Sequence, residues 1–447
     1  MTMLERWLAR LMPATRQERV AALWSFGYFF ALLAGYYVLR PLRDQMGIAG
    51  GVKNLPWLFT ATFVTLLVAQ PLYGALVARL PRARFIPIVY HFFVLNLLVF
   101  WALLTFDIET AVVARVFFVW VSVFNLFAVA VFWSFMADLF TSEQGKRLFG
   151  FIGAGGTAGA LLGPIITIWL SVPLGPVNLM IAGVIFLELA VFCVYRLERN
   201  VVVHARTQAQ AQTQTQTESI GGSAFAAIPE LVRSPYILGI AVWVALLSYA
   251  ATIIYFEQAH IVSEAVKSAG LQTRIFASID LAVSLLTLIT QLLITGQVLK
   301  RVGTGVAAAA LPAVYIVGFA ALAAMPTLIV VVTVQVVQRW MNFAIANPAR
   351  QLFFTVVTRE EKYKAKNLVD VVVYRGSDAL SGWIFDTLQG LGLKLGAIAL
   401  CSLPVVAGWA VLSLALGREQ ERRSTQSPAQ HPPLIANLTR RETDFAS

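Results

Sequence analysis

The chain has 447 residues, of which 58% are hydrophobic and 13% are charged, and its mean hydropathy is +0.74. A soluble domain needs a larger charged fraction to cover its surface, so this composition excludes a soluble protein and indicates one surrounded by lipid. The net charge of +11 does not indicate nucleic-acid binding, because the basic residues lie in short segments between apolar runs rather than on one face.

Twelve segments are apolar enough to cross a bilayer, which takes roughly 20 residues each. They form two groups of six, separated by the one long polar stretch in the interior of the chain. We therefore predict an all-α integral membrane protein with 12 transmembrane helices in two parallel six-helix repeats. The predicted spans are 21–39, 56–78, 85–105, 111–138, 149–170, 178–196, 234–256, 272–298, 304–323, 326–346, 368–390 and 395–416.

The domain organisation follows from these spans. The central polar stretch contains the run 207–217, a low-complexity sequence of Thr, Gln and Ala that cannot form a core and is typical of a disordered linker. The predicted parts are a cytoplasmic N-terminus (1–20), an N-terminal half (21–196), a cytoplasmic linker (197–233), a C-terminal half (234–416) and a disordered cytoplasmic tail (417–447).

The distribution of basic residues predicts the orientation. Segments placed inside hold 25 of the 34 Lys and Arg, segments placed outside hold six, and three lie within spans. Because an excess of Lys and Arg marks the cytoplasmic side, we expect both termini in the cytoplasm and the protein in a bacterial cytoplasmic (inner) membrane.

The two halves repeat at an offset of about 217 residues. Parallel six-helix repeats with a long cytoplasmic linker are the plan of major-facilitator carriers, which the chain therefore resembles. In that plan the substrate binds between the halves near the middle of the membrane. Rocking of one half on the other then exposes the site to each side in turn.

The end of the first span carries the most informative cluster of charges. A charged residue in hydrocarbon costs about 2.5–3.5 kcal/mol to insert, so it indicates either function or a structural ion pair. Arg40 and Arg43 are three residues apart and share a helix face, with Tyr37 before them and Asp44 after them. Pro41 predicts a kink at this point.

The repeat places an acidic residue opposite these arginines, because the offset aligns Arg40 with Glu257 of the seventh span. The two residues could bind substrate from both sides or lock an outer gate, and the alternative is two unrelated interfacial anchors. Two more arginines within spans, Arg115 and Arg339, are further candidates for substrate binding, although Arg115 can also cap a helix end. The candidates for coupling or gating are Asp280 in the eighth span, Asp44, and Asp370 and Asp378 in the eleventh span.

The eleventh span carries a polar stripe with Asp370, Tyr374 and Asp378 at helical spacing, and with Arg375 beside it. Arg375 can pair with Asp378, or Asp378 can titrate alone and couple transport to protons. In the fifth span, the four-residue spacing of Gly155, Gly159 and Gly163 predicts close approach of a neighbouring helix.

Three segments together resemble the ATP:ADP antiporter family of nucleotide carriers from plastids and intracellular bacteria. They are the sequence YVLRPLRD at 37–44, the FW–F sequence at 132–135 followed by Lys146 and Arg147, and the sequence KAKNLVDVV at 364–372 followed by Arg375. The resemblance implies anion or nucleotide exchange and places Lys146, Arg147, Lys364 and Lys366 at a cytoplasmic gate. Pro41 replaces an acidic residue of the family motif, and Asp378 stands where the family tends to have Lys.

The leading hypothesis is a secondary transporter, expected as a monomer in the bilayer, that moves an anionic solute with nucleotides and phosphorylated compounds as candidates. Its substrate would be bound by Arg40, Arg43 and Arg375. The alternatives are a proton-driven exporter of amphiphiles that uses Asp378 or Asp280, and a membrane sensor or scaffold. We expect no enzyme, cofactor or metal site, because the sequence has no Walker loop, no catalytic triad order and only four His and two Cys.

Overall fold

The computed structural model describes residues 15–79, 82–208, 234–357, 366 and 368–426, and within these ranges the chain is helical, without strands. Twelve helices follow one another along the chain. They are α1 (Arg16–Ala49), α2 (Leu55–Arg79), α3 (Arg82–Thr105), α4 (Thr110–Leu139), α5 (Ser142–Leu170), α6 (Leu179–Gln208), α7 (Pro235–Ala265), α8 (Ala269–Leu293), α9 (Thr295–Ala324), α10 (Leu328–Met341, then Asn342–Ala346 and Asn347–Phe353), α11 (Leu368–Val373, then Tyr374–Gly390) and α12 (Leu395–Gln426).

Side-chain caps explain where several helices begin. The Thr15 hydroxyl accepts a hydrogen bond from the backbone N–H of Glu18, and the backbone N–H of Thr15 donates one to the Glu18 carboxylate. Thr141 forms the same capping box with Gln144. Ser234 caps α7 immediately before Pro235. These caps satisfy backbone N–H groups that lack partners in the first turn of a helix.

The predicted twelve-helix fold is confirmed, and several boundaries differ from the sequence prediction. Eleven of the described helices are long and apolar enough to cross a membrane by length and composition. The remaining one, α11, carries the polar stripe of the eleventh span. The linker was predicted from 197 and the tail from 417, but α6 continues to Gln208 and α12 to Gln426. Both helices continue as charged segments beyond their apolar stretches. A hydropathy criterion alone does not include these charged ends. The rest of the predicted linker and tail lies outside the described residues.

Two helices have irregular turns next to the cavities between the halves. The backbone hydrogen bonding of α10 changes from α-helical to π-helical over Asn342–Ala346. α11 begins with a π-helical turn over Leu368–Val373. Such turns are frequent at functional sites because they reorient side chains and free backbone groups. Pro41, where the sequence predicts a kink, lies inside the helix α1.

Each half has its own apolar core. In the N-terminal half the core is rich in phenylalanine, with Phe117, Phe124 and Phe132 fully buried. In the C-terminal half Trp243 and Trp409 lie edge to face, with ring centroids 5.4 Å apart. Large apolar side chains on the outside are exposed, as expected for a surface that contacts lipid.

The predicted small-residue stripe of α5 packs directly on α1. A Cβ at Gly155 would lie 2.4 Å from the carbonyl oxygen of Phe26, and one at Gly159 would lie 2.4 Å from that of Phe30. The close approach predicted from the glycine spacing is therefore confirmed. It holds α1, which carries Arg40 and Arg43, against its own half.

Candidate functional site

Two adjoining cavities lie between the halves. The first has a volume of about 250 Å³ and the second about 440 Å³. Side chains of both halves line each of them, and six residues are common to the two cavities. The shared residues are Tyr36, Arg40, Asn342, Phe343, Tyr374 and Arg375.

The centre of the site is an ionic triad that joins the halves. Asp280 of α8 lies 2.6 Å from the guanidinium of Arg339 in α10 and 3.5 Å from that of Arg40 in α1. The Asp280 side chain is only 1% exposed, so both contacts lie in a medium where ion pairing is strong. The candidates Arg40, Arg339 and Asp280, which come from three different helices, therefore form one cluster.

Several atoms of this triad have no hydrogen-bond partner. The Nε atoms of Arg40 and Arg339 are buried and unpaired, and so is Oδ2 of Asp280. An unpaired buried donor carries a full desolvation cost, so the two Nε–H groups are the ones that an anionic ligand would satisfy.

Arg43 also lines the first cavity, where its partner is Asp44. Its guanidinium bonds the carboxylate of Asp44 at 2.6 Å and lies over the ring of Phe118, with the guanidinium carbon 5.1 Å from the ring centroid. The hydroxyl of Tyr255 in α7 donates to the same oxygen of Asp44 at 3.0 Å. Asp44 therefore joins a cation of one half to a tyrosine of the other.

Asp378 is held by a network in the C-terminal half. Its Oδ1 accepts hydrogen bonds from Ser248 at 2.5 Å and from Thr252 at 3.1 Å, and its Oδ2 lies 3.3 Å from the guanidinium of Arg375. Of the two possibilities that the sequence left open for Asp378, the structure has the ion pair with Arg375. In the second cavity, Asp370 pairs with Arg350 at 3.0 Å.

A chain of amide hydrogen bonds forms part of the first cavity, and sequence analysis missed it. The buried hydroxyl of Tyr315 donates to Gln338 at 2.6 Å, Gln338 donates to Gln335, and Gln335 donates to Gln258. We call these four residues the glutamine relay. The spacing of Gln335, Gln338, Arg339 and Asn342 in the apolar tenth span is the signal that could have revealed it, because these positions share one helix face.

Polar and aromatic contacts join the halves at one end of the molecule, which we call the closed end. The indole N–H of Trp383 donates to Thr60 at 3.0 Å, and its ring meets that of Trp57 with centroids 4.8 Å apart. The Tyr255–Asp44 bond lies on the same side. The larger cavity lies further from this end, because on α1 it is lined by residues 33–40, whereas the smaller one reaches Asp44.

The described residues among those predicted for a cytoplasmic gate lie at the other end of the helices. Arg147 bonds Glu18 of its own half at 3.3 Å, and Lys366 bonds Gln351 of its own half at 2.8 Å. Lys146 belongs to the first turns of α5. Lys364 lies outside the described residues.

Two predicted binding residues do not line the cavities. The Nε of Arg115 donates to the carbonyl oxygen of Gly50 at 2.7 Å, so this arginine caps the end of α1. Glu257 is fully buried, and within the described residues neither carboxylate oxygen has a hydrogen-bond partner. The repeat offset aligns Arg40 with Glu257, whereas the carboxylate that Arg40 contacts in the structure is that of Asp280. Tyr37 does line the second cavity, and the Arg40 guanidinium lies 5.9 Å from its ring centroid.

The fold matches those of several solved transporters. A bacterial homologue of the iron transporter ferroportin is 12% identical, with 90% of this chain and 98% of that chain covered and a TM-score of 0.65. The nucleoside transporter NupG is 14% identical, with 92% and 99% covered and a TM-score of 0.57. A bacterial homologue of the human lysosomal transporter Spinster is 12% identical, with 92% and 98% covered and a TM-score of 0.55.

A search of curated proteins finds no match to the sequence. The sequence of residues 20–365, however, matches the Major Facilitator Superfamily. These residues cover most of the chain, including α1 through α10 and therefore all three members of the ionic triad. The chain belongs to the Major Facilitator Superfamily and is a membrane transporter rather than an enzyme.

Proposed function

We propose that the protein is a secondary active transporter that moves an anionic solute by alternating access between its two halves. The observation that carries this proposal is the ionic triad, in which Arg40 and Arg339 share the single carboxylate of Asp280. Two guanidinium groups with unpaired Nε atoms, one from each half, are suited to bind a carboxylate or phosphate through several hydrogen bonds.

The same contact gives a mechanism for coupling binding to movement. Arg40 is held to Asp280 by the longer of the two contacts, at 3.5 Å, and this contact crosses between the halves. A bound anion competes with Asp280 for Arg40 and weakens that connection. The loaded carrier then rocks more readily than the empty one, which gives exchange.

The resemblance to the ATP:ADP antiporters and the fold shared with a nucleoside transporter support nucleotides and phosphorylated solutes as candidate substrates. The excess of basic residues in the segments 79–84, 300–301 and 418–423 supports a bacterial inner-membrane protein with both termini in the cytoplasm. In that orientation the closed end faces outward and the larger cavity faces the cytoplasm. We propose that the protein works as a monomer, because both walls of the site come from one chain.

A proton-driven exporter of amphiphiles is less well supported. It requires a carboxylate that gains and loses a proton during transport, and Asp378 and Asp280 are both paired with arginines.

Thermal unfolding of the purified protein against nucleotides, inorganic phosphate and organic anions tests the proposal. A ligand that binds the folded state raises the unfolding temperature in proportion to its occupancy. We expect at least one anion to stabilise the protein, and Arg40→Gln to weaken its binding about tenfold or more, since a hydrogen bond to a charged group contributes about 1.5–3 kcal/mol. Arg274→Gln, an exposed arginine on α8, is the matched control. Anion binding that survives Arg40→Gln unchanged would contradict the proposal.

A further inference from the structure

The charged groups of the two cavities do not balance. Among the described residues, five arginines line the cavities, and four aspartates line them or pair with these arginines. The one-to-one pairs are Arg43 with Asp44, Arg375 with Asp378 and Arg350 with Asp370. The excess cation therefore belongs to the triad, where Arg40 and Arg339 share Asp280.

Glu257 does not compensate for this excess. Within the described residues it forms no ion pair, and its side chain is fully buried on α7 away from both cavity linings. The site therefore carries one positive charge more than its carboxylates neutralise. An uncompensated charge in a partly desolvated cavity is costly, and a ligand that brings one negative charge removes that cost.

A second feature lies beside the triad on the same face of α10. In the glutamine relay every amide carbonyl accepts a bond from its neighbour, beginning at the buried hydroxyl of Tyr315. The groups left over are amide N–H donors, and Gln258, Gln335 and Gln338 all line the first cavity. An amide NH₂ has two hydrogens, so each of these glutamines retains at least one. The relay thus presents donors next to Arg339.

We propose that the transported solute is a singly charged organic anion that also carries an uncharged hydrogen-bond acceptor. Its charge lies between Arg40 and Arg339, and its acceptor, a carbonyl, hydroxyl or ring nitrogen, bonds the N–H groups of the glutamine relay. This inference rests on the proposed anion transport and narrows its substrate class. It disfavours nucleoside di- and triphosphates, which carry several negative charges. The first cavity has a volume of about 250 Å³ and only one excess positive charge to neutralise them.

Matched probes separate charge from hydrogen bonding. Succinamate, succinate and butyrate share a four-carbon chain and differ only in a terminal amide, carboxylate or methyl group. 4-Carbamoylbenzoate, terephthalate and 4-methylbenzoate form the same series on an aromatic ring. In the series that binds more tightly, we expect the amide monoanion to bind about tenfold more tightly than either other member. The methyl compound lacks one acceptor bond and the dicarboxylate has one unneutralised charge, and each difference is worth about a factor of ten. Binding is measured as stabilisation of the full chain and as competition for uptake into proteoliposomes.

Variants of the triad change the net charge of the site and should therefore change the ratio of monoanion affinity to dianion affinity. Asp280→Asn raises the excess to two positive charges, so the dianion of each series should overtake the monoanion. Arg339→Gln removes the excess, so binding of both anions should fall and their ratio should shift against the dianion. Asp386→Asn, at an exposed position of α11, is the matched control and should leave the ratio unchanged. If Asp280→Asn does not fold, Arg339→Gln still carries the test.

The outcomes distinguish this inference from the proposed function. If no anion of the full panel stabilises the wild type or is taken up, anion transport is wrong and the inference is lost with it. If anions bind but dianions or nucleotides are preferred, or if both triad variants keep the wild-type ratio, anion transport stands and the inference is overturned.

Discussion

Arg40 of α1 and Asp280 of α8 lie 3.5 Å apart across the boundary between the two halves, and Asp280 is at the same time 2.6 Å from Arg339 of its own half. The contact that joins the halves and the groups that can bind an anion are therefore the same groups. A ligand at this position acts on the conformational equilibrium directly, because it changes the partners of Arg40. The effect of the ligand does not need to be transmitted through distant helices.

The closed end should open more often when one of its hydrogen bonds is removed. Tyr255→Phe deletes the hydroxyl that donates to Asp44 at 3.0 Å. A bond to a charged acceptor contributes about 1.5–3 kcal/mol, so we expect the open population to rise about tenfold or more. The measurement is the rate at which a membrane-impermeant maleimide, added from the closed side, modifies Ala251→Cys in a background without Cys193 and Cys401.

Tyr249→Phe is the control for that experiment, because the Tyr249 hydroxyl bonds Ser402 within the C-terminal half at 3.1 Å. It should leave the modification rate unchanged. Equal rates in Tyr255→Phe and the wild type would show that the Tyr255–Asp44 bond does not hold the end closed.

The contact between α1 and α5 should not tolerate a methyl group at its centre. Gly159→Ala places a Cβ 2.4 Å from the carbonyl oxygen of Phe30 and 2.8 Å from the nitrogen of Ala34, both backbone atoms that cannot move alone. We expect a loss of about 1–3 kcal/mol, seen as a lower unfolding temperature in detergent. Gly153→Ala, where a Cβ meets nothing within 4 Å, should be neutral or slightly stabilising because alanine favours helix. Similar results for both variants would refute close packing at Gly159.

Asp378 should act as a fixed counter-ion rather than as a proton carrier. Asp378→Asn leaves Arg375, which lines the cavities, without its partner at 3.3 Å, and we expect a loss of about 1–3 kcal/mol. The expected result is a lower unfolding temperature, with the dependence of uptake on a pH gradient unchanged. Ser381→Ala, on the same helix, loses only a bond to the backbone of Ser377 and is the control. Loss of the pH-gradient dependence in Asp378→Asn alone would restore the exporter hypothesis.

The glutamine relay should depend on its buried anchor. Tyr315→Phe removes the donor that orients Gln338, so the relay can reverse and present carbonyl oxygens to the ligand. We expect affinity for the best anion to fall about fivefold to tenfold, the equivalent of one hydrogen bond. Tyr236→Phe also loses one buried hydroxyl bond, to the carbonyl oxygen of Phe353, but lies outside the cavities. A comparable loss of affinity in both variants would indicate general destabilisation instead of an effect of the relay.

Much of the site was visible in the sequence as a set of residues. The cost of a charge in an apolar span singles out Asp280, Arg339, Asp370, Arg375 and Asp378, and their shared helix face singles out Arg40 and Arg43 at the end of the first span. Each of these residues lines a cavity or pairs with a residue that does. The glutamines were missed for the converse reason. An uncharged amide costs less to bury than a charge, so Gln335 and Gln338 attract little attention in a hydropathy analysis.

The sequence by itself determined the helical fold, the two halves and the close approach of a neighbouring helix to α5, because apolar length and small-residue spacing are properties of a single helix. Only the tertiary structure decided which charges meet. Repeat symmetry paired Arg40 with Glu257, whereas packing placed Asp280 beside Arg40 and left Glu257 buried without a partner. Pairing depends on the rotation and depth of neighbouring helices, which many contacts between helices set together. Periodicity along one helix carries no information about its neighbour.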